Sequence, residues 1–184
     1  MDKSFHIFDF DYTLYLTTER VLVWSPRGNY ISNGKNCLKL NANDFHHYEL
    51  ASDEEVNEES FEEFNGVNWQ NARPIYPTLN AFNCAPSKMI LTARPPYSEN
   101  AIRLKLGKDF EFVGLGDGAP QAKINFIQKI NQEKYSRIIV YEDSHEAIAA
   151  LRSLGIPCVK VKVCHDKISL EYFGLNKRFV SYKI

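Results

Sequence analysis

The chain has 184 residues, which is about the length of one domain built around one principal core. Hydrophobic residues make up 44% and charged residues 24%, and these ordinary proportions exclude a disordered chain, a collagen-like chain and a coiled-coil rod. The net charge is -1, no apolar run approaches the ~18 residues of a membrane helix, and Asp9 and Asp11 interrupt the apolar N-terminal stretch that a signal peptide would need, so we expect a cytoplasmic protein with no membrane partner.

Strand and helix patterns alternate along most of the chain. Five short runs rich in β-branched and aromatic residues are predicted to be strands: 5–10, 88–92, 111–115, 137–141 and 157–163. Helical patterns follow the second, third and fourth of these strands, at 97–106, 120–130 and 144–154. This alternation predicts an α/β fold, a doubly wound Rossmann-like domain with a parallel sheet covered on both faces.

Residues 18–77 do not follow the alternation, and we interpret them as a small cap-like insertion after the first strand. Within it, 21–24 and 30–31 are predicted to form a hairpin across the turn-rich segment 25–29. An acidic segment without Lys or Arg follows, and its seven acids are Asp53, Glu54, Glu55, Glu58, Glu59, Glu62 and Glu63. The rest of the chain has 22 basic and 16 acidic residues, an excess of about six positive charges. The last segment, 165–184, has no clear period and is predicted to be a short tail on the sheet edge.

Two acidic pairs follow predicted strands. Asp9 and Asp11 stand at the end of the first strand, and Glu142 and Asp143 directly follow the fourth. Because the carboxyl ends of parallel strands open on one crevice, these four acids are expected to converge there, where they would repel one another without a cation. Hard oxygen ligands favour Mg²⁺. The alternatives are acids that cap helices after a strand and, for Asp143, a helix N-cap that Ser144 could form alone.

Four segments resemble the motifs of the haloacid dehalogenase (HAD) superfamily of hydrolases. FDFDYTL at 8–14 resembles the first motif, and MILTAR at 89–94 is similar to the second. Lys123, in the first turn of a predicted helix, stands where the third motif has its lysine, and YEDSHEAI at 141–148 resembles the acidic-pair form of the fourth motif. All four occur in the required order and span most of the chain. The layout of the insertion also resembles a small phage-associated branch of these hydrolases, which implies a stand-alone phosphatase.

The resemblance implies a Mg²⁺-dependent phosphatase that works through an aspartyl-phosphate. Asp9 would be the nucleophile, and Asp11 the general acid and base and, through its backbone carbonyl, a metal ligand. Thr92 and Lys123 would bind the phosphoryl oxygens. The implied metal ligands are Asp9, Asp11, Glu142 and Asp143.

Several assignments have alternatives. Arg94 could bind the substrate phosphate or pair with an acid of the insertion, and Thr92 could merely bond a local backbone group. The Gly116-Asp117 pair could replace Glu142-Asp143 as the fourth motif, although the lysine that must precede it could then only be Lys105 or Lys108.

The substrate is expected to be a small phosphate ester, with a nucleotide or a nucleic-acid end as possible forms. An acidic insertion folded over the site would disfavour long polyanions, although such a charge run is commonly a solvated face. The alternatives to a phosphatase are a phosphotransferase or mutase of the same superfamily and a non-catalytic module that binds a phosphate ligand. The sequence leaves the oligomeric state open.

Overall fold

The computed structural model describes residues 4–41, 44–45, 48–130, 135–164, 167–176 and 179–183. Its strands are β1 (Ser4–Phe8), β2 (Tyr15–Leu16), β3 (Val21–Trp24), β4 (Tyr30–Ser32), β5 (Lys35–Leu40), β6 (Glu55–Asn57), β7 (Arg73–Pro74), β8 (Lys88–Thr92), β9 (Glu111–Gly114), β10 (Arg137–Glu142), β11 (Cys158–Cys164), β12 (Lys167–Phe173) and β13 (Phe179–Lys183). Its α-helices are α1 (Tyr76–Cys84), α2 (Glu99–Leu106), α3 (Pro120–Lys129) and α4 (His145–Ser153), and two 3₁₀ helices span Glu58–Asn65 and Pro96–Ser98.

The main sheet has the strand order β13-β12-β11-β10-β1-β8-β9 within these residues. The five strands from β11 to β9 are parallel, so β1 lies in the interior of the sheet between β10 and β8. This arrangement confirms the predicted α/β fold with a mostly parallel sheet, and each of the five predicted strands is present within about two residues of its expected bounds. The apolar runs in β8 and β10 are typical of strands covered on both faces, whereas β11 alternates valine with lysine.

Helices cover both faces of the sheet because side chains alternate along each strand. On one face Phe8 and Ile90 belong to a core that includes Phe82 of α1 and Ile102 of α2. On the other face the core contains Ile7, Met89, Leu91 and Val140 together with the apolar side of α3 and α4, contributed by Ile124, Ile127, Ile148 and Leu151. Two buried cores therefore hold the parallel strands in place and fix where their carboxyl ends lie.

The C-terminal segment lies at the sheet edge, as predicted, but it is not a tail without regular structure. β12 pairs antiparallel with β11, and β13 pairs antiparallel with β12. Ile168 and Leu170 alternate into the core and are buried, whereas Ser169 between them is half-buried. Residues 165–166, 177–178 and 184 of the predicted segment lie outside the described residues.

The insertion contains a four-stranded antiparallel sheet in the order β4-β5-β3-β6. The predicted hairpin between 21–24 and 30–31 is wrong, because β5 lies between β3 and β4 and pairs with both. Asn33 and Gly34 make the turn between β4 and β5, with φ of 49° and 75°. An Asn-Gly pair with positive φ at both residues is the preferred two-residue hairpin turn, and this signal outweighs the longer turn-rich segment before it.

Two elements close the insertion and return the chain to the main sheet. β2 and β7 pair antiparallel, so the two ends of the insertion lie side by side. α1 then begins at Tyr76, close to the predicted end of the insertion at residue 77, and it buries Thr78 and Phe82. This helix was not predicted, although Pro77 in its first turn is a usual start signal.

Among the described residues, the helices are all too short or too polar to pass through a lipid bilayer.

Candidate functional site

A cavity of about 730 Å³ lies at the carboxyl ends of the central parallel strands. Its lining comes from the loops that follow β1, β8, β9 and β10, from the first turns of α3 and α4, and from the 3₁₀ helix Glu58–Asn65 of the insertion. Parallel sheets commonly bind ligands at this edge, where neighbouring strands connect in opposite directions. The acidic segment therefore contributes residues to the candidate site. The sequence alone did not decide whether it would.

Asp9 is buried and forms part of the lining of this cavity. It directly follows β1, and its N–H continues the pairing of the sheet by donating to the carbonyl of Tyr141 at 3.0 Å. Lys123, in the first turn of α3, donates to Asp9 at 2.7 Å and to Glu142 at 2.8 Å. The predicted strand 5–10 thus ends two residues early at Phe8, and Asp9 and Asp11 lie in the loop beyond it.

Burial is the main cause of the raised pKa values of the carboxyls around Lys123. It raises the pKa of the Asp9 carboxyl to about 7, and the neighbouring Glu142 and Asp11 carboxylates add to this effect, whereas Lys123 opposes it. Burial also raises the pKa of Asp143 well above its ordinary value, with Glu142 and Asp9 as the repelling neighbours. For Lys123 the attraction of Asp9 and Glu142 outweighs burial and raises the pKa of the ammonium.

Three carboxylates could hold a metal ion. Asp9, Glu142 and Asp143 each offer an oxygen, and these atoms lie within 4.8 Å of one another. The nearby ammonium of Lys123 balances only one of three potential negative charges, and hard carboxylate oxygens suit Mg²⁺. The residues present therefore fit a divalent cation. Glu142 also has structural partners, because its oxygens accept hydrogen bonds from Lys123 and, at 3.1 Å, from the Ser144 N–H.

Ser144 forms the N-cap of α4, which leaves Asp143 outside that role. The Ser144 hydroxyl oxygen accepts from the Ala147 N–H at 3.3 Å. The alternative pair Gly116-Asp117 also lies in the cavity lining, where the Asp117 carboxylate accepts from the Ala119 N–H at 2.8 Å.

The Asp11 carboxylate is bound by Arg94 and does not belong to the group formed by Asp9, Glu142 and Asp143. Arg94 donates to its two oxygens at 2.8 Å each, in a bidentate pair, and the Thr17 hydroxyl donates to it as well. Asp11 nevertheless lines the cavity. Its role as a metal ligand through the backbone carbonyl stays a prediction, and its carboxylate is outside the candidate metal group.

Arg94 connects the main sheet to the insertion. Only 2% of the residue is exposed, and besides Asp11 it donates to Glu19 at 3.0 Å and to the carbonyls of Phe64 and Gly66. Of the two sequence interpretations, this geometry favours the ion pair with an acid of the insertion. The sequence did not indicate which acid of the insertion is the partner, since 75 residues separate Arg94 from Glu19 and no local pattern marks the pair.

Thr92 ends β8 and is completely buried. Its hydroxyl oxygen accepts from the Arg94 N–H at 3.2 Å, which is the local backbone bond considered as an alternative. The side chain is not in the cavity lining, so the predicted contact with a phosphoryl group has no direct geometric support.

Comparisons of the chain with family models, with curated proteins and with solved structures found no significant match.

Proposed function

We propose that this chain is a Mg²⁺-dependent phosphomonoester hydrolase of the HAD type that works through an aspartyl-phosphate. The observation that carries the proposal is the position of Asp9, a buried carboxylate at the carboxyl end of an interior strand, 2.7 Å from Lys123 and grouped with Glu142 and Asp143 in a cavity. Such a carboxylate serves as a nucleophile when nearby cations screen its charge from the phosphate. The proposed substrate is a small phosphate ester, and a nucleotide or a nucleic-acid end are forms that the sequence left open.

In the first step a carboxylate oxygen of Asp9 attacks the phosphorus. The Asp9–phosphorus bond forms and the bond to the ester oxygen breaks. Asp11 gives a proton to the departing alkoxide, for which its carboxyl must be protonated and turned out of the bidentate pair with Arg94. In the second step a water molecule gives a proton to Asp11 and attacks the phosphorus. The Asp9–phosphorus bond then breaks, which releases phosphate and restores both carboxyl groups.

The other residues hold these groups and balance charge. Lys123 lies next to the attacking carboxylate, where its ammonium can also bind a phosphoryl oxygen. Arg94 and Thr17 donate hydrogen bonds to the Asp11 carboxylate and so orient it. The Thr92 hydroxyl in turn accepts a hydrogen bond from the Arg94 N–H. Asp9 and Asp143, with Glu142 beside them, would hold Mg²⁺, which supplies positive charge to the reacting phosphoryl group when it is bound.

The test is a screen of Mg²⁺-dependent phosphate release from a panel of phosphate esters. Asp9→Asn is expected to lower kcat on the best ester by about a thousandfold or more, because an amide is not a nucleophile of comparable strength. Asp117→Asn is the matched control, since this acid lines the same cavity and has no part in the mechanism; its kcat should stay within about threefold.

Three outcomes are decisive. Phosphate release that survives both EDTA and Asp9→Asn would overturn the mechanism. Transfer of the phosphoryl group to an added alcohol in preference to water would favour the phosphotransferase alternative. Tight binding of esters without turnover of any would favour the non-catalytic module.

A further inference from the structure

One wall of the cavity belongs to the 3₁₀ helix Glu58–Asn65, and two of the four acids of that helix line the site. A 3₁₀ helix has three residues per turn, so side chains three apart lie above one another. Glu58, Phe61 and Phe64 follow this spacing and line the cavity; Glu59, Glu62 and Asn65 form the adjacent row, of which Glu62 and Asn65 line the cavity and Glu59, in the first turn, does not.

Two further acids of the same helix lie away from the cavity. Glu59 and Glu63 are absent from its lining, and the Glu63 carboxylate instead accepts from the Arg20 N–H at 3.3 Å. The acidic segment thus supplies two carboxylates to the site and leaves two equivalent carboxylates outside it.

The positive charges of the lining already have carboxylate partners. Among the described residues that line the cavity, the bases are Arg94 and Lys123. Arg94 is paired with Asp11 and Glu19, and Lys123 with Asp9 and Glu142. Against these two bases the lining has seven acids, which are Asp9, Asp11, Glu58, Glu62, Asp117, Glu142 and Asp143. A second negative group on a substrate would therefore find repulsion and no free cation among them.

The same wall offers apolar surface. Phe61 is 41% exposed, and its ring meets the Phe45 ring edge to face, with centroids 5.7 Å apart. Val21, Pro95 and Pro120 also line the cavity. The exposed part of this apolar surface, chiefly the Phe61 ring and not the buried Val21, stabilises a ligand by removing apolar area from water.

From these observations we infer that the site selects its substrate by the charge of the leaving group, and this inference rests on the proposed phosphatase function. The substrate is a phosphate monoester whose leaving group is neutral or cationic and partly apolar. Glu58 and Glu62 are the specificity-determining residues. Esters with a second phosphate or a carboxylate, including the ends of nucleic acids, are poor substrates.

The experiment compares three aryl esters of similar size: phenyl phosphate, 4-carboxyphenyl phosphate and 4-(aminomethyl)phenyl phosphate. We would measure kcat/KM for the wild type, for the double variant Glu58→Gln with Glu62→Gln, and for the matched control Glu59→Gln with Glu63→Gln. The quantity compared between proteins is the kcat/KM for the phenyl ester divided by the kcat/KM for the 4-carboxyphenyl ester. The intrinsic reactivity of each leaving group cancels in that comparison.

We expect the wild type to prefer the phenyl ester, and the Glu58/Glu62 variant to lower this preference about tenfold. Two exposed carboxylates at an assumed separation of about 6 Å from the substrate charge, in a medium close to water, account for a change of that size. The aminomethyl ester should lose kcat/KM in the same variant. The preference should stay unchanged in the Glu59/Glu63 control, and rising salt should reduce it in the wild type.

The two proposals fail in different ways. Hydrolysis of all three esters with the same ratio in wild type and Glu58/Glu62 variant would overturn the charge selection and leave the phosphatase standing. If the protein hydrolysed none of the three aryl esters and none of the esters in the earlier panel, both the proposed phosphatase function and the inference of charge selection would be overturned. Circular dichroism of each variant verifies that it is folded.

Discussion

Lys123 is the residue on which the charge balance of the candidate site depends. Its ammonium contacts the carboxylates of Asp9 and Glu142, and the side chains of all three are nearly buried. Removing one member of a buried ion group is costly because the remaining charges lose their compensation in a region from which water is excluded.

We therefore expect Lys123→Met to lower the free energy of unfolding by about 3–5 kcal/mol and to abolish phosphate release. Lys129→Met is the control, because Lys129 is an exposed residue in the last turn of the same helix. Urea unfolding of the metal-free proteins measures the stability of the two variants, and the phosphate-release assay measures their activity. Equal stability of the two variants would contradict the structural role assigned to Lys123.

Asp9 gives the stability of the metal-free protein a distinctive pH dependence. Its pKa is raised from 3.8 to about 7, so between these values the folded state binds more protons than the unfolded state. The contribution of Asp9 to stability is therefore fully present below about pH 4 and is lost as the pH rises through about 7.

Asp9→Asn removes this titration. Between pH 5 and pH 7.5, we expect the metal-free variant to gain on the order of 3 kcal/mol in unfolding free energy relative to the wild type. Urea unfolding of both proteins at the two pH values gives the difference. A difference between variant and wild type that does not change with pH would contradict the raised pKa of Asp9.

At the scale of elements, the loop after β8 depends on the end of β9. Gly114 pairs with Thr92, and a Cβ at this glycine would lie 2.7 Å from the carbonyl oxygen of Arg94 and 2.8 Å from backbone atoms of Pro95. Backbone atoms at such distances cannot move aside without shifting the loop that places Arg94 against Asp11.

Gly114→Ala is accordingly expected to destabilise the fold by about 1–3 kcal/mol and to lower activity. Gly66→Ala is the matched control in the insertion, since its Cβ would meet nothing within 4 Å and its φ is -117°. Thermal unfolding and phosphate release distinguish the two. If Gly114→Ala were as stable and active as Gly66→Ala, the close approach of the two loops would be disproved.

The elements differ in how well the sequence predicted them. The strands of the main sheet have strong local signals, and β8 has the predicted bounds 88–92. The insertion was predicted poorly, because β4 and β6 have three residues each and depend on their neighbours for pairing. α1 was missed even though it has nine residues, since its polar Asn80 and Asn83 weaken the helical pattern.

For the whole molecule, the net charge of -1 conceals a separation between the acidic segment of the insertion and the rest of the chain, which has an excess of basic residues. The acidic segment contributes Glu58 and Glu62 to the cavity, beside the carboxylates of the sheet ends. A bound divalent cation would offset part of this negative charge, and any ligand that binds only the folded state stabilises it.

We expect Mg²⁺ at about 100 times its Kd to raise the free energy of unfolding by about 2.7 kcal/mol. Asp143→Asn replaces a proposed carboxylate ligand with a neutral amide and should abolish most of this gain, whereas Asp117→Asn, in the same cavity, should retain it. Thermal unfolding over a range of Mg²⁺ concentrations provides the measurement. The same gain in Asp143→Asn as in the wild type would place the cation elsewhere.

The sequence alone predicted a parallel sheet and the meeting of Asp9, Asp11, Glu142 and Asp143 at its carboxyl edge, of which the structure groups Asp9, Glu142 and Asp143, whereas Lys123 was placed only by the family resemblance. Both follow from local rules, since apolar runs specify buried strands and parallel strands bring their carboxyl ends to one edge. The tertiary structure decided the rest of the site. Arg94 bonds Asp11 across 83 residues and Glu19 across 75, and the 3₁₀ helix turns two of its acids towards the cavity. Such contacts depend on how the insertion folds back on the sheet, and no local periodicity records that path.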